Sequence, residues 1–303
     1  MIYLKLQGRI GNQYFMYAAA RMVQILQGDD QEIIIEDCNN IQEGYLNVLT
    51  EFDLPNVRFV HDLDIYRSFE MRLQRWISYG VKAIEMKMSP REAFEFEKKH
   101  QPFFNKHGII RAVDGYIDFP KKYEKNTYMY GFFQSEKYFY PIRDDIKRLF
   151  SIEDKVNQSG YPDLEKIRAR NTVCISIKVQ HNAGNPMYDV CTREYYEKAI
   201  SIILDKVENP LFFVCSDNVQ YVLDNLIDSS KYDCVLQDSS YPIHIMLAIM
   251  AQSKHFIIGN TSFGWWAQYL SYNPDKIVIA PSRWYGIDVP CEIYQDNWTL
   301  ISV

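Results

Sequence analysis

From residue 173 onward, short apolar runs alternate with helix-patterned segments, and that rhythm admits few architectures. Residues 173–179, 211–215, 235–237, 256–258 and 276–280 read as strands, and 193–204, 218–227, 243–251 and 265–270 read as the helices between them. Strands this apolar are covered on both faces, which calls for a parallel sheet with helices on either side. Such a doubly wound sheet places ligands beyond the C-terminal ends of its strands. The chain opens in the same style. Residues 2–6 read as a strand, Gly8-Arg9-Ile10-Gly11-Asn12 as a turn, 13–26 as an Ala-rich helix, and 32–36 and 127–131 as further strands. Between about 60 and 110 the sequence turns charged, aromatic and helical, as an insertion would. The polar stretch 151–170, with Gly160 and Pro162, reads as a linker. Two α/β halves follow: 1–160, carrying the helical insertion, and 161–303.

Composition removes several function classes. The chain has 303 residues, 47% hydrophobic and 24% charged, with a net charge of −6. It can bury real cores, and with no basic tract it offers nothing to nucleic acid. The six cysteines, Cys38, Cys174, Cys191, Cys215, Cys234 and Cys291, form no C-x-x-C pair. They suit reduced thiols better than a disulfide framework or a zinc site. The first residues are too short and uncharged a run for a signal peptide, and no apolar run approaches the roughly 20 residues that span a bilayer. A cytoplasmic protein is expected, at most peripheral at the inner face of the cell membrane.

The chemistry concentrates after strands. Gly259-Asn260-Thr261-Ser262-Phe263-Gly264-Trp265-Trp266 joins a strand to a helix. Its backbone N–H groups and the helix dipole make a natural anion cradle, anchored by the tryptophans. At the end of the 173–179 strand, Lys178 and His181 could face a diphosphate. Asp217 and Asp238 each follow a strand, where a carboxylate can accept from the N1–H and N2–H of guanine; both equally suit a helix N-cap. In the first half, Gly11, Asn12 and Gln13 follow the opening strand. Glu136, within Gly131-Phe132-Phe133-Gln134-Ser135-Glu136, is a candidate base or a first-turn carboxylate. Asp62-Leu63-Asp64 has the D-x-D form of a metal site but lies in a charged connector.

Taken in order, these stretches resemble the α-1,2-fucosyltransferases, glycosyltransferase family 11. Gly8-Arg9-Ile10-Gly11-Asn12-Gln13-Tyr14-Phe15 is similar to the family's N-terminal G-x-x-G-N-Q-x-F segment. Gly131-Phe132-Phe133-Gln134-Ser135 is similar to its G-x-x-Q-S segment, Asn260-Thr261-Ser262-Phe263-Gly264-Trp265-Trp266 to N-S-[ST]-F-S-W-W, and Ala280-Pro281-Ser282-Arg283-Trp284-Tyr285 to the closing A-P-x-x-W-F. The resemblance implies a GT-B-like fold: two Rossmann-type halves facing a central cleft, the first for the acceptor and the second for the donor. It implies GDP-β-L-fucose as donor, a galactose-type hydroxyl of a glycan as acceptor, inversion at the anomeric carbon, and neither metal nor cofactor. The setting would be surface-polysaccharide or O-antigen assembly, with membrane contact only through a lipid-linked acceptor.

With these readings the donor set is Lys178, His181, Asp217, Asp238, Asn260, Thr261, Ser262 and Phe263. Gly11, Asn12 and Gln13 line the acceptor side, and Glu136, with His181, carries the proton chemistry. The chain departs from the family at one place. Where the family carries H-x-R-R-G-D, this sequence reads Lys178-Val179-Gln180-His181-Asn182-Ala183. Two further readings therefore stay open: the same fold with another nucleotide-deoxysugar donor, and a glycan- or nucleotide-binding relic without turnover.

Overall fold

A computed structural model describes the chain except for residues 29, 62–67, 121–125 and 181 and the side chain of Asn39. It divides into two compact units. The first comprises residues Met1–Leu149 and Asp288–Tyr294; the second comprises Phe150–Ile287 and Gln295–Val303.

The first unit is built on five strands, β1 (Ile2–Lys5), β2 (Ile33–Glu36), β3 (Val57–Val60), β4 (Ile109–Ala112) and β5 (Thr127–Gly131). All pair in parallel, in the order β3-β2-β1-β5-β4. Helices α1 (Ile10–Leu26), α2 (Cys38–Gln42), α3 (Phe69–Glu85), α4 (Pro90–Lys106) and α5 (Arg143–Leu149) complete it. The expected insertion is the α3–α4 pair. Each helix is started by a serine cap: Ser68 Oγ accepts from Met71 N, and Ser89 with Glu92 forms a capping box ahead of Pro90. Met71 and Val81 of α3 and Phe104 of α4 pack against Tyr3, Ile109, Tyr128 and Tyr130 of the sheet. The insertion thus covers a sheet face that would otherwise be wet.

Beneath that cover lies a buried ion-pair cluster. Arg111, on β4, is fully buried. Its guanidinium donates to Glu97 Oε1 (3.1 Å), Glu85 Oε2 (2.5 Å) and the carbonyl of Ser78 (3.0 Å), and sits 4.6 Å from the Tyr130 ring centre. Two carboxylates share one guanidinium in a dry setting. Burial pushes the Glu97 carboxyl up to about 8 against the opposing pull of Arg111, and Glu85 is raised for the same reason.

The second unit carries six parallel strands: β6 (Asn171–Ile177), β7 (Pro210–Ser216), β8 (Cys234–Leu236), β9 (His255–Ile258), β10 (Val278–Pro281) and β11 (Thr299–Ile301), in the order β11-β10-β9-β6-β7-β8. Its helices are α6 (Glu153–Gln158), α7 (Leu164–Ala169), α8 (Arg193–Lys206), α9 (Val219–Asn225), α10 (Ile243–Met250) and α11 (Ser262–Leu270). Val173, Ile175, Val214, Ile257 and Ile279 face Tyr196, Ile200 and Ile203 of α8 in the core. The polar stretch 151–170 differs from the expected linker: it folds as α6 and α7, with Val156, Leu164 and Ile167 buried.

Candidate functional site

Strand order reverses between β6 and β9. From β6 the chain winds outward through β7 and β8, and from β9 it winds the other way through β10 and β11. Neighbouring strands whose connections leave in opposite directions open a crevice at their C-terminal ends, where doubly wound sheets bind ligands. A cavity of ≈ 30 Å³ sits there. It is lined by Lys178, Val179 and Asn182 after β6, by Tyr188, Asp189 and Cys191 farther along that connection, and by Asn260 after β9. The cavity opens to solvent, and a nucleotide-sized ligand would extend beyond it.

Two glycines let the β9–α11 turn settle onto β6. Gly259 N donates to Ser176 O at 2.8 Å, and a Cβ at Gly259 would stand 2.9 Å from the Tyr196 hydroxyl. A Cβ at Gly264 would stand 2.7 Å from Ser176 Oγ. Thr261 caps α11, its hydroxyl accepting from Phe263 N at 3.2 Å. Behind this turn Trp265 and Trp266 are fully buried; Trp265 stacks on Tyr269, and Trp266 meets the edge of Phe150. The first turn of α11, with Ser262 and Phe263 half-buried, is therefore held on a rigid base with its partial positive charge directed outward.

Asn260 ties the site together. Its Nδ2 donates to the carbonyls of Tyr188 (2.9 Å) and Trp284 (3.0 Å), and its Oδ1 accepts from Cys191 Sγ at 3.6 Å. Burial pushes the Cys191 thiol up to about 12, so it stays a neutral donor. Asn260 thus joins the β6–α8 connection, the turn after β9, and the Ala280-Pro281-Ser282-Arg283-Trp284-Tyr285 segment. Asn260→Ala strands both carbonyls and should cost the second unit about 1–3 kcal/mol, read as a lower urea midpoint with unchanged slope.

Asp217 is exposed, and its Oδ1 accepts from Val179 N (2.8 Å) and Gln180 N (3.3 Å), which fixes the start of the β6–α8 connection. Asp238 follows edge strand β8, two strands from β6, and accepts from Ser240 N at 2.9 Å; hydrogen bonds from Ser240 hold its carboxyl below the usual range. Of the expected donor residues, Lys178 and Asn260 share the cavity, Thr261, Ser262 and Phe263 adjoin it in sequence, and Asp238 lies apart. His181 and Asp62-Leu63-Asp64 fall outside the described residues.

In the first unit β1 and β5 are parallel neighbours, so the turns that follow them meet at one end of the sheet. Gln134 Nε2, after β5, donates to Asn12 Oδ1, after β1, at 2.7 Å. Gly11 is buried at the start of α1. Gln13 is fully buried: its Nε2 donates to the carbonyls of Gly8 and Leu46, and its Oε1 accepts from Val48 N. Gln13 is thereby a clamp between the opening turn and the 46–48 segment, with no side-chain surface left for a ligand. Glu136 is half-buried and begins a short 3₁₀ turn after β5. Just before it, Phe133 holds a left-handed backbone (φ 53°) while fully buried against Phe119 and Tyr138. Packing that pins such a residue also pins the loop that carries Glu136.

Sequence reasoning missed Tyr188, Asp189 and Tyr196 as cavity residues, and no local pattern marks them. It also missed Asp114, a half-buried carboxylate just past β4, which burial and then the charge of Glu85 push up to about 6.

The sequence matches the family model described as Glycosyl transferase family 11 over residues 98–302. It is 26% identical to the O-antigen biosynthesis glycosyltransferase WbnK of Escherichia coli, covering 98% of this chain and 99% of that one. It is 22% identical to an alpha-1,2-colitosyltransferase of Escherichia coli, covering 94% and 92%. Its fold is similar to that of the fucosyltransferase NodZ from Bradyrhizobium, with a TM-score of 0.55 at 13% identity over 92% of this chain and 94% of that one. That likeness identifies the architecture as a GT-B-like α/β fold. With two-thirds of its length inside the family model, the chain belongs to glycosyl transferase family 11 and is a glycosyltransferase.

Proposed function

We propose that the protein moves L-fucose from GDP-β-L-fucose to a galactose-type hydroxyl of a glycan, forming an α-1,2 linkage in the cytoplasmic assembly of O-antigen or a related surface polysaccharide. One observation carries this reading: Asn260, in the lining of the cavity at the reversal point of the second sheet, ties two family-like segments, its own and 280–285, to the β6–α8 connection. In the reaction, the acceptor oxygen attacks the anomeric carbon from the face opposite the nucleotide. The bond from that carbon to the β-phosphate oxygen breaks, and the acceptor proton passes to Glu136. The charge left on the diphosphate is met by Lys178, His181 and the N-terminal turn of α11 with Thr261, Ser262 and Phe263. These groups take the place a metal would otherwise fill, so a chelator should leave turnover unchanged. Asp217 or Asp238 accepts from the guanine edge.

A second reading, the same site with another nucleotide-deoxysugar, is favoured by Lys178-Val179-Gln180-His181-Asn182-Ala183 standing where the family carries paired arginines. The alpha-1,2-colitosyl activity named for one relative supports it as well. A panel of GDP- and dTDP-sugars, offered with a galactoside acceptor and read by product NMR, separates the two. GDP-fucose should give an α-1,2-fucoside with inverted anomeric configuration. Turnover with a different donor and none with GDP-fucose replaces the first reading by the second. Binding of no donor leaves a relic.

A further inference from the structure

We infer that the outer face of α3 is a docking surface for an anionic lipid bilayer. The inner face of this helix is used up by the first sheet, where Met71, Gln74, Ser78 and Val81 are buried. The opposite face carries Phe69, Leu73 and Trp76 at i, i+4 and i+7, a stripe on one side of the helix. Phe69 is 82% exposed and Trp76 77%, and Met86, at the end of the helix, is 78% exposed. Isolated exposed apolar residues are ordinary, but large ones aligned on one helix side are a binding surface.

Charge selects the partner. From the cap of α3 to the cap of α4, residues 68–107 hold eight Lys/Arg and five Glu, a net +3 in a chain whose total is −6. Two of the five glutamates, Glu85 and Glu97, are turned into the cluster around Arg111. Arg91 is likewise engaged, with Asp288, and the exposed charge around the stripe, which includes Arg72 and Lys87, stays positive. A second copy packing on this face about a two-fold axis would bring these cations against themselves. A bilayer with anionic headgroups meets both features: aromatic rings enter the interface while lysines reach the phosphates. The inference does not depend on the donor, because vesicle binding stands or falls without glycosyl transfer.

The test is flotation of the full chain with phosphatidylcholine vesicles and with vesicles that also contain phosphatidylglycerol. The chain should float with the anionic vesicles only, and raised salt should release it. Phe69→Ser/Trp76→Ser should lower the partition coefficient roughly tenfold or more, as should Arg72→Glu/Lys87→Glu. Turnover of a soluble acceptor should be unaffected by either pair. The inference is overturned if the chain stays in the aqueous fraction with both vesicle types, or if the serine pair floats as well as the parent. It is also overturned if the chain forms a dimer that the serine pair dissolves, which would assign the face to a second copy.

Discussion

Arg111→Ala should destabilise the first unit by about 3–5 kcal/mol at pH 8, and by distinctly less at pH 5. The substitution leaves Glu97 and Glu85 facing each other in a dry interior, and removes a donor from the Ser78 carbonyl and a cation from the Tyr130 ring. The pH dependence follows from the direction of the shift. Burial raises the Glu97 carboxyl from the ordinary carboxylate range to about 8. Between roughly pH 4.5 and 8 the folded state then holds a proton that the unfolded chain has released, so stability falls as pH rises across that window and levels off above it. In the parent, Arg111 limits the penalty. Without it the two carboxyls are tolerable only while protonated, and the deficit grows with pH. Urea unfolding at pH 5 and pH 8 measures the difference, and Arg111→Met/Glu97→Gln, which removes charge on both sides, should recover much of the loss at pH 8. An Arg111→Ala deficit independent of pH would mean that the guanidinium acts through packing alone.

This cluster also marks where the sequence became hard to read. The second sheet is legible because its central strands are buried on both faces and print as plain apolar runs, as in residues 173–177 and 256–258. Strand β4 is equally buried, yet it spells Ile-Ile-Arg-Ala, and an arginine in a short run argues against a core strand until its partners on α3 and α4 are known. Strand β11 has only three residues, too few for any period, and it follows the 288–294 segment that joins the first unit. In the site, the turn after β9 was recognisable from glycines and hydroxyls next to an apolar run. The work of Asn260 was not, because its carbonyl partners lie 72 and 24 positions away. Gln13 shows the same limit from the other side. A polar residue in a glycine turn suggests a ligand contact, while its actual partners, Leu46 and Val48, belong to a segment with no pattern of its own.

Lys178→Ala should lower kcat for the nucleotide-sugar reaction by roughly 10²–10³-fold, with a much smaller change in donor binding. Lys178 stands at the C-terminal end of β6, half-buried at the edge of the cavity beside Asn260. Breaking the bond from the anomeric carbon to the β-phosphate adds a negative charge to the departing diphosphate, and only interactions that strengthen with that charge raise the rate. On the proposed reading the first turn of α11 contributes partial charge from fixed dipoles, which would already favour a bound donor. A full positive charge at β6 adds what the dipoles do not supply. Nearby carboxylates sharpen the dependence. Asp217 is engaged with Val179 N and Gln180 N, and Asp189 Oδ2 accepts from Gly184 N at 2.7 Å, so both hold the connection in shape while adding negative charge to its surroundings. With the lysine removed, the leaving group would separate toward a connection whose described fixed charges are of its own sign. Lys178→Arg keeps the charge and offers a fork for two phosphate oxygens, and should retain or raise kcat. Steady-state kinetics on the three proteins, with donor affinity measured separately by calorimetry, give the split. Equal losses in affinity and kcat/KM for Lys178→Ala would place the lysine in ground-state binding, and no loss in either would move the diphosphate away from the β6–β9 crevice.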